Sequence, residues 1–108
     1  MLHFTDYQNK LSNFNKKNDL ILYGAGTLGK VTCQVLKAKG IETDFFCDSD
    51  DRKHHLKVEE KNIISPEKLK TFEKDVDIFV CNIYFSSIVP FLKKVGFKNI
   101  YNSSELFS

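Results

Sequence analysis

The chain has no tryptophan, one methionine and two prolines among its 108 residues. Its three cysteines, Cys33, Cys47 and Cys81, are odd in number and far apart. They form no C-x-x-C pair and no disulfide framework, so they are expected to be reduced, buried and apolar in behaviour, as in a cytoplasmic protein. No apolar run approaches the roughly 18 residues of a membrane-spanning helix. Residues 1–17 are polar and lack an apolar signal core. A membrane partner is therefore not expected, and a cytoplasmic location is. Charge of one sign is also lacking: the formal net charge is +2, with lysines scattered and no basic stripe interleaved with aromatics. That argues against a nucleic-acid partner. His54 and His55 have no further ligand candidates near them, and a metal needs three or four converging ligands, so no metal is expected. No histidine or acid is spaced to activate a cysteine, so no catalytic residue is expected in this chain alone.

What is present is one domain's worth of residues, 42% hydrophobic and 28% charged, an ordinary soluble composition. It is organised around one stretch, residues 19–30. An apolar strand over 19–23 runs into Gly24-Ala25-Gly26-Thr27-Leu28-Gly29, the G-x-G-x-x-G spacing. Gly24 lets the strand turn sharply. Gly26, having no Cβ, lets a diphosphate approach the backbone. Gly29 lets the following helix pack close to the strand. The free N–H groups of the helix's first turn, Thr27 and Leu28 included, then face an anionic ligand.

Along the rest of the chain strands and helices alternate. Residues 2–17 carry Phe4, Tyr7, Leu11 and Phe14 at spacings of one helix face, predicting an amphipathic N-terminal helix and link over 1–18. That helix packs on the domain or pairs two chains, giving a possible homodimer through residues 2–17. Residues 27–39 predict a helix with Leu28, Val31, Val35 and Leu36 on its apolar face and Gly40 as its cap. A second strand over 42–47 follows. The charged segment from Asp48 to Asn62 is long for a loop and is expected to be mobile or ligand-responsive. Ile63-Ile64 is a short strand. Ser65 caps a helix with Pro66 at its first position. A strand over 76–81 precedes a helix capped by Ser86 and ended by Gly96, with Pro90 in its first turn or just beyond. A strand over 97–101 and a helical turn over 103–107 complete the chain. The fold class is α/β: a three-layer parallel sheet of about five strands, order 3-2-1-4-5, spanning residues 19–108 with the extra N-terminal helix in front.

In such a sheet ligands bind beyond the carboxyl ends of the strands, where the strand order reverses. The candidate ligand-binding residues are Gly24, Gly26, Thr27, Leu28 and Gly29, with Asp48 after the second strand and Asn82 after the fourth. Asp48 lies about nineteen residues beyond Gly29, a distance suited to a carboxylate that bonds ribose hydroxyls and repels a 2′-phosphate. An acidic turn after any strand is the plain alternative. Gly24, Gly29 and Lys30 nearly spell a phosphate-binding loop, but Val31 stands where a Ser or Thr would hold Mg²⁺, so phosphoryl transfer is not expected. Tyr84 and Phe85 fall at the mouth of the crevice, where they could stack on a base or pack inward.

The runs Ile21 to Gly29, Phe45 to Asp50, Ile63 to Leu69 and Ile78 to Asn82 together resemble a small Rossmann-like module. It stands at the front of several bacterial polysaccharide-biosynthesis proteins: capsular-type sugar-nucleotide dehydratases and epimerases, FkbM-type sugar methyltransferases, and sugar acyltransferases. The resemblance covers about residues 19–107. It implies that Gly24, Gly26, Gly29 and Asp48 face a nucleotide or nucleotide-sugar. The chain departs from the pattern at Arg52-Lys53-His54-His55, where a glycine usually sits, and it carries no Tyr-x-x-x-Lys pair, methyl-donor motif or hexapeptide repeat.

Three functions follow in order. The first is a binding module for a small-molecule ligand, a nucleotide or nucleotide-sugar, as the non-catalytic part of a protein such as a sugar methyltransferase. The second is the NAD-binding half of an oxidoreductase or of a sugar-nucleotide dehydratase or epimerase. The third is a dimerisation scaffold. NAD and a nucleotide-sugar are not distinguished by sequence.

Overall fold

The computed structural model describes residue 16 and residues 18–104. The expected N-terminal helix, with its pairing role, lies outside the described residues, as does the expected final helical turn beyond Ser104.

Five parallel strands and one antiparallel hairpin strand make one six-stranded sheet. The strands are β1 (Leu20–Tyr23), β2 (Phe45–Cys47), β3 (Lys57–Val58), β4 (Lys61–Ile64), β5 (Asp77–Val80) and β6 (Asn99–Asn102). Their spatial order is β3-β4-β2-β1-β5-β6. With β3 set aside this is the expected 3-2-1-4-5 order. Three helices connect the strands: α1 (Thr27–Ala38), α2 (Pro66–Leu69) and α3 (Phe85–Val95).

Alternation in the central strands sorts the core into two layers. Leu20 and Leu22 of β1 point to one face, where they meet Cys33 and Leu36 of α1 together with Phe46, Ile63 and Phe79. Ile21 and Tyr23 point to the other, where Leu69 of α2 and Leu92 of α3 close over Ile78 and Val80. A strand buried on both faces is apolar along nearly its whole length, which is why β1 and residues 78–80 of β5 read as continuous runs, with Asp77 the buried exception at the start of β5.

α1 is rotated from its expected face. Its buried residues are Gly29, Thr32, Cys33 and Leu36, while Val31 is 38% exposed. Packing of Gly29 against the preceding turn fixes the rotation, and small side chains then follow it along the seam. Thr32 is fully buried because its hydroxyl donates to the Leu28 carbonyl at 2.7 Å.

Two further expectations are corrected. The segment from Asp48 to Asn62 is not one long loop: it holds a 3₁₀ turn (Asp51–Lys53) and β3, which pairs with β4 as a hairpin. The hairpin turn places Glu59 and Glu60 at φ 50 and 66, the left-handed conformation that a two-residue hairpin connection requires. Ser86 does not cap α3; Tyr84 holds the N-cap position and Ser86 lies in the first turn. Pro90 sits inside α3 just beyond its first turn, as expected. It is tolerated because Pro90 and Ser86 both lie on the exposed side, so the carbonyl that loses its N–H partner faces water. Ser65 caps α2 as expected, accepting from the Lys68 N–H at 3.1 Å, and Gly96 ends α3 at φ 116.

Candidate functional site

At the carboxyl ends of β1, β2 and β5 a crevice of about 360 Å³ opens, on the line where strand order reverses. Gly24, Gly26, Thr27 and Leu28 form one wall, Asp48, Asp50 and Lys53 the second, and Cys81 and Asn82 the floor and far side. Six of the seven sequence-predicted site residues thus line one cavity. Gly29 lies beneath it, buried. A larger cavity, about 490 Å³, lies at the opposite end of the sheet between Asn18, Asp19, Phe72, Glu73, Asp75 and Val76. Its carboxylates and its place at the amino ends of the strands make it a poor seat for an anion.

The three motif glycines divide sharply. At Gly24, φ is +122 and a Cβ would collide with the Cys81 carbonyl. At Gly29 a Cβ would collide with the Gly24 carbonyl. Both are glycine for the sake of the fold. Gly26 is different: its φ of −92 suits any residue, and a Cβ there meets nothing within 4 Å. It is the N-cap of α1, and no side chain caps the helix. Its carbonyl accepts the Lys30 N–H at 3.0 Å, so the helix starts at Thr27 and the N–H groups of its first turn face the crevice.

Asp48 is more occupied than its sequence position suggests. One carboxylate oxygen accepts the Ala25 N–H at 2.9 Å and the other the Asp50 N–H at 2.9 Å. Lys53 Nζ stands 3.6 Å from the first oxygen. The Asp48 carbonyl accepts from His54 Nε2 at 2.6 Å, which assigns the proton of that contact to Nε2. Asp50 is held in turn by Arg52, whose Nε and a terminal nitrogen each donate at 3.0 Å. Those bonds hold the Asp50 carboxyl down at about 2. The Asp48 to His54 segment is therefore a self-bonded turn. Sequence reasoning placed Asp50 at this end of the sheet but missed Lys53, because nothing in spacing distinguishes a lysine that lines a crevice from one that faces solvent.

Asn82 lines the crevice and also shapes it: its side-chain oxygen accepts the Tyr84 N–H at 2.8 Å and so bends the chain into α3. Tyr84 and Ile83 stand open at the mouth, 63% and 87% exposed, while Phe85 turns inward against the second core layer. Beneath the crevice, burial pushes the Cys81 thiol up to about 11 and raises Cys47 beyond the ordinary thiol range. Burial, with Cys47 and Asp48 adding to it, lifts Tyr23 to about 12. These groups stay neutral at physiological pH and form the unreactive base of the site. Among the described residues no group of three or more His, Cys, Asp or Glu could hold a metal. Among them, too, no helix is long and apolar enough to cross a membrane.

The sequence model of a family described as C2185-like, N-terminal, matches residues 16–100. No curated protein sequence matches the chain. Similar solved structures include two of related fold. One is RSP in complex with β-NADH, at a TM-score of 0.65 and 22% identity, covering 90% of this chain and 50% of that one. The other is UDP-D-quinovosamine 4-dehydrogenase from Vibrio fischeri, at 0.62 and 22% identity, covering 86% and 84%. This chain therefore spans half the length of the NADH-bound protein. At that identity the likeness is one of fold, and the fold is Rossmann-like.

Proposed function

This chain belongs to the C2185-like, N-terminal family, and from that premise we propose that it is a nucleotide-binding module. Its ligand contains a nucleoside diphosphate, as NAD(H) or a nucleotide-sugar. The diphosphate lies over Gly26 against the first-turn N–H groups of α1, and the nucleoside runs toward Asp48 and Lys53. The observation that carries this reading is Gly26. Neither its backbone angles nor its neighbours require glycine, yet a side chain there would fill the space above the helix N-terminus. The fold shared with an NADH-bound protein and with a UDP-sugar dehydrogenase supports the same ligand class. The chain contributes binding, and a covalent partner domain or a second protein supplies any chemistry, in keeping with a role in sugar or polysaccharide biosynthesis.

The test is titration calorimetry with NADH and a UDP-sugar on the wild type and on Gly26→Val. Wild type should bind at least one of them, and Gly26→Val should bind neither while its far-ultraviolet dichroism is unchanged. Equal binding by the variant would reduce the glycine turn to a structural corner.

A further inference from the structure

Resting on the nucleotide reading above, we propose that the part of the ligand beyond the diphosphate, an uncharged sugar or nicotinamide ring, lies against Tyr84 and Ile83 after β5. The two walls of the crevice differ in chemistry. Asp48, Asp50 and Lys53 on the β2 side carry one net negative charge, whereas Cys81, Asn82, Ile83 and Tyr84 on the β5 side carry none. β1 and its glycine turn run between them in the order β2-β1-β5, so the walls stand two strand spacings, about 10 Å, apart. A diphosphate over Gly26 is therefore central. With the nucleoside on the charged β2 side, the group on the other phosphate is directed to the β5 side, where the surface is uncharged and partly apolar.

The way the chain is held leaves these two side chains to a ligand. The Cys81 N–H donates to the Tyr23 carbonyl at 2.8 Å, which extends the β1–β5 ladder to the edge of the loop. The Tyr84 N–H donates to Asn82 Oδ1 at 2.8 Å, and the Tyr84 carbonyl accepts the Ser87 and Ile88 N–H groups at 2.9 and 3.0 Å. Its backbone is engaged on both sides, so the ring stands open on a fixed base. Phe85, Ile88 and Leu92 make the contacts of α3 with the core, and neither Ile83 nor Tyr84 takes part in them. Among the described residues the aromatic pairs are Phe45 with Phe72 and Phe79 with Tyr101, and Tyr84 joins neither. Two adjacent large side chains, 87% and 63% exposed on the rim of a polar groove, form a surface suited to being covered by a ligand. The phenol ring offers a flat apolar face with a polar tip, which takes a conjugated ring or the C–H face of a sugar.

The experiment titrates NADH, ADP, UDP-glucose and UDP by calorimetry into wild type, Tyr84→Ala and Tyr84→Phe. ADP and UDP keep the nucleoside and the diphosphate and lack the ring beyond them. Tyr84→Ala should lose about tenfold for the full ligand that wild type binds, NADH or UDP-glucose, while ADP and UDP change by less than about twofold. Tyr84→Phe keeps the aromatic face and should stay within about twofold of wild type throughout. Equal losses of the full ligand and of its nucleoside diphosphate overturn the inference, because the ring would then serve the nucleobase. Unchanged binding of every ligand by Tyr84→Ala also overturns it and leaves the exposed pair as a surface for another protein. A loss in Tyr84→Phe as large as in Tyr84→Ala overturns it in favour of a hydrogen bond from the hydroxyl. Each of these results leaves the nucleotide reading standing, whereas a wild type that binds none of the four removes both.

Discussion

The Asp48 carboxylate accepts the Ala25 N–H at 2.9 Å, joining the end of β2 to the middle of the glycine turn after β1. Two neighbouring strands thus hold their ligand-facing loops together through one side chain. Asp48→Asn keeps an acceptor for only one of the two backbone N–H groups and turns an amide NH₂ toward the other. It should cost about 1–3 kcal/mol of stability, read from urea unfolding with an unchanged m-value. A cost under about 0.5 kcal/mol would show that the brace carries no strain.

The glycines make an ordered series. Gly24→Ala and Gly29→Ala force a Cβ into backbone carbonyls, and Gly24 is also at positive φ. Each should lose about 2 kcal/mol or more. Gly26→Ala should lose under about 1 kcal/mol, the small preference for glycine over alanine at an N-cap. Thermal unfolding of the three variants side by side checks the order.

The turn at Glu59-Glu60 asks two non-glycine residues to adopt left-handed angles. Glu59 has a compensating contact, accepting from Gln34 of α1 at 2.8 Å. Glu60 is exposed and φ is 66. Glu60→Gly should therefore stabilise the protein by about 1 kcal/mol, measurable as a higher urea midpoint.

Asp77 begins β5 as a buried carboxylate, 7% exposed, and burial raises its pKa; the Tyr101 hydroxyl works in the opposite direction and Asp75 in the same one. A folded-state pKa above the unfolded one means the stabilising contribution is full below the unfolded value and is lost as pH rises through the folded value. Asp77→Asn removes that loss. The variant should gain stability relative to wild type as pH rises from about 3 to about 7, and a constant difference across that range would show that Asp77 titrates alike in both states.

The three free cysteines are buried, and Cys33, Cys47 and Cys81 all have thiols raised by burial. A thiol-specific chromogenic reagent near pH 8 should label the native protein only at the rate of opening, and should label all three at once in denaturant. Rapid native labelling of one cysteine would place it at the surface.

The central strands were legible because residues buried on both faces are almost all apolar, Asp77 at the start of β5 excepted. The boundary of β2 was not. Thr43 and Asp44 read as strand, yet residue pairing with β1 begins at Phe45; Asp44 donates its N–H to the Leu20 carbonyl at 2.9 Å, while its carboxylate rather than its carbonyl accepts the Leu20 N–H at 2.8 Å. The hairpin was missed because its turn is Glu-Glu, without the Asn-Gly or Asp-Gly that advertises such a connection. The crevice wall at Gly24 to Leu28 was legible from spacing alone. The engagement of Asp48 was not, since a carboxylate after a strand looks the same in sequence whether it meets a ribose or its own backbone.

The hairpin that the sequence concealed also decides how the sheet ends. A parallel sheet of short apolar strands leaves a row of unpaired backbone groups at its border, a template for another chain's strand. On the β4 side that border is closed by β3, which runs antiparallel and is only two residues long, Lys57 and Val58. An incoming strand would find two residues of ladder, one of them a lysine, and then the exposed carboxylate of Glu60 at the bend. The hairpin is thus a terminator, stopping the sheet from growing by recruitment on this side.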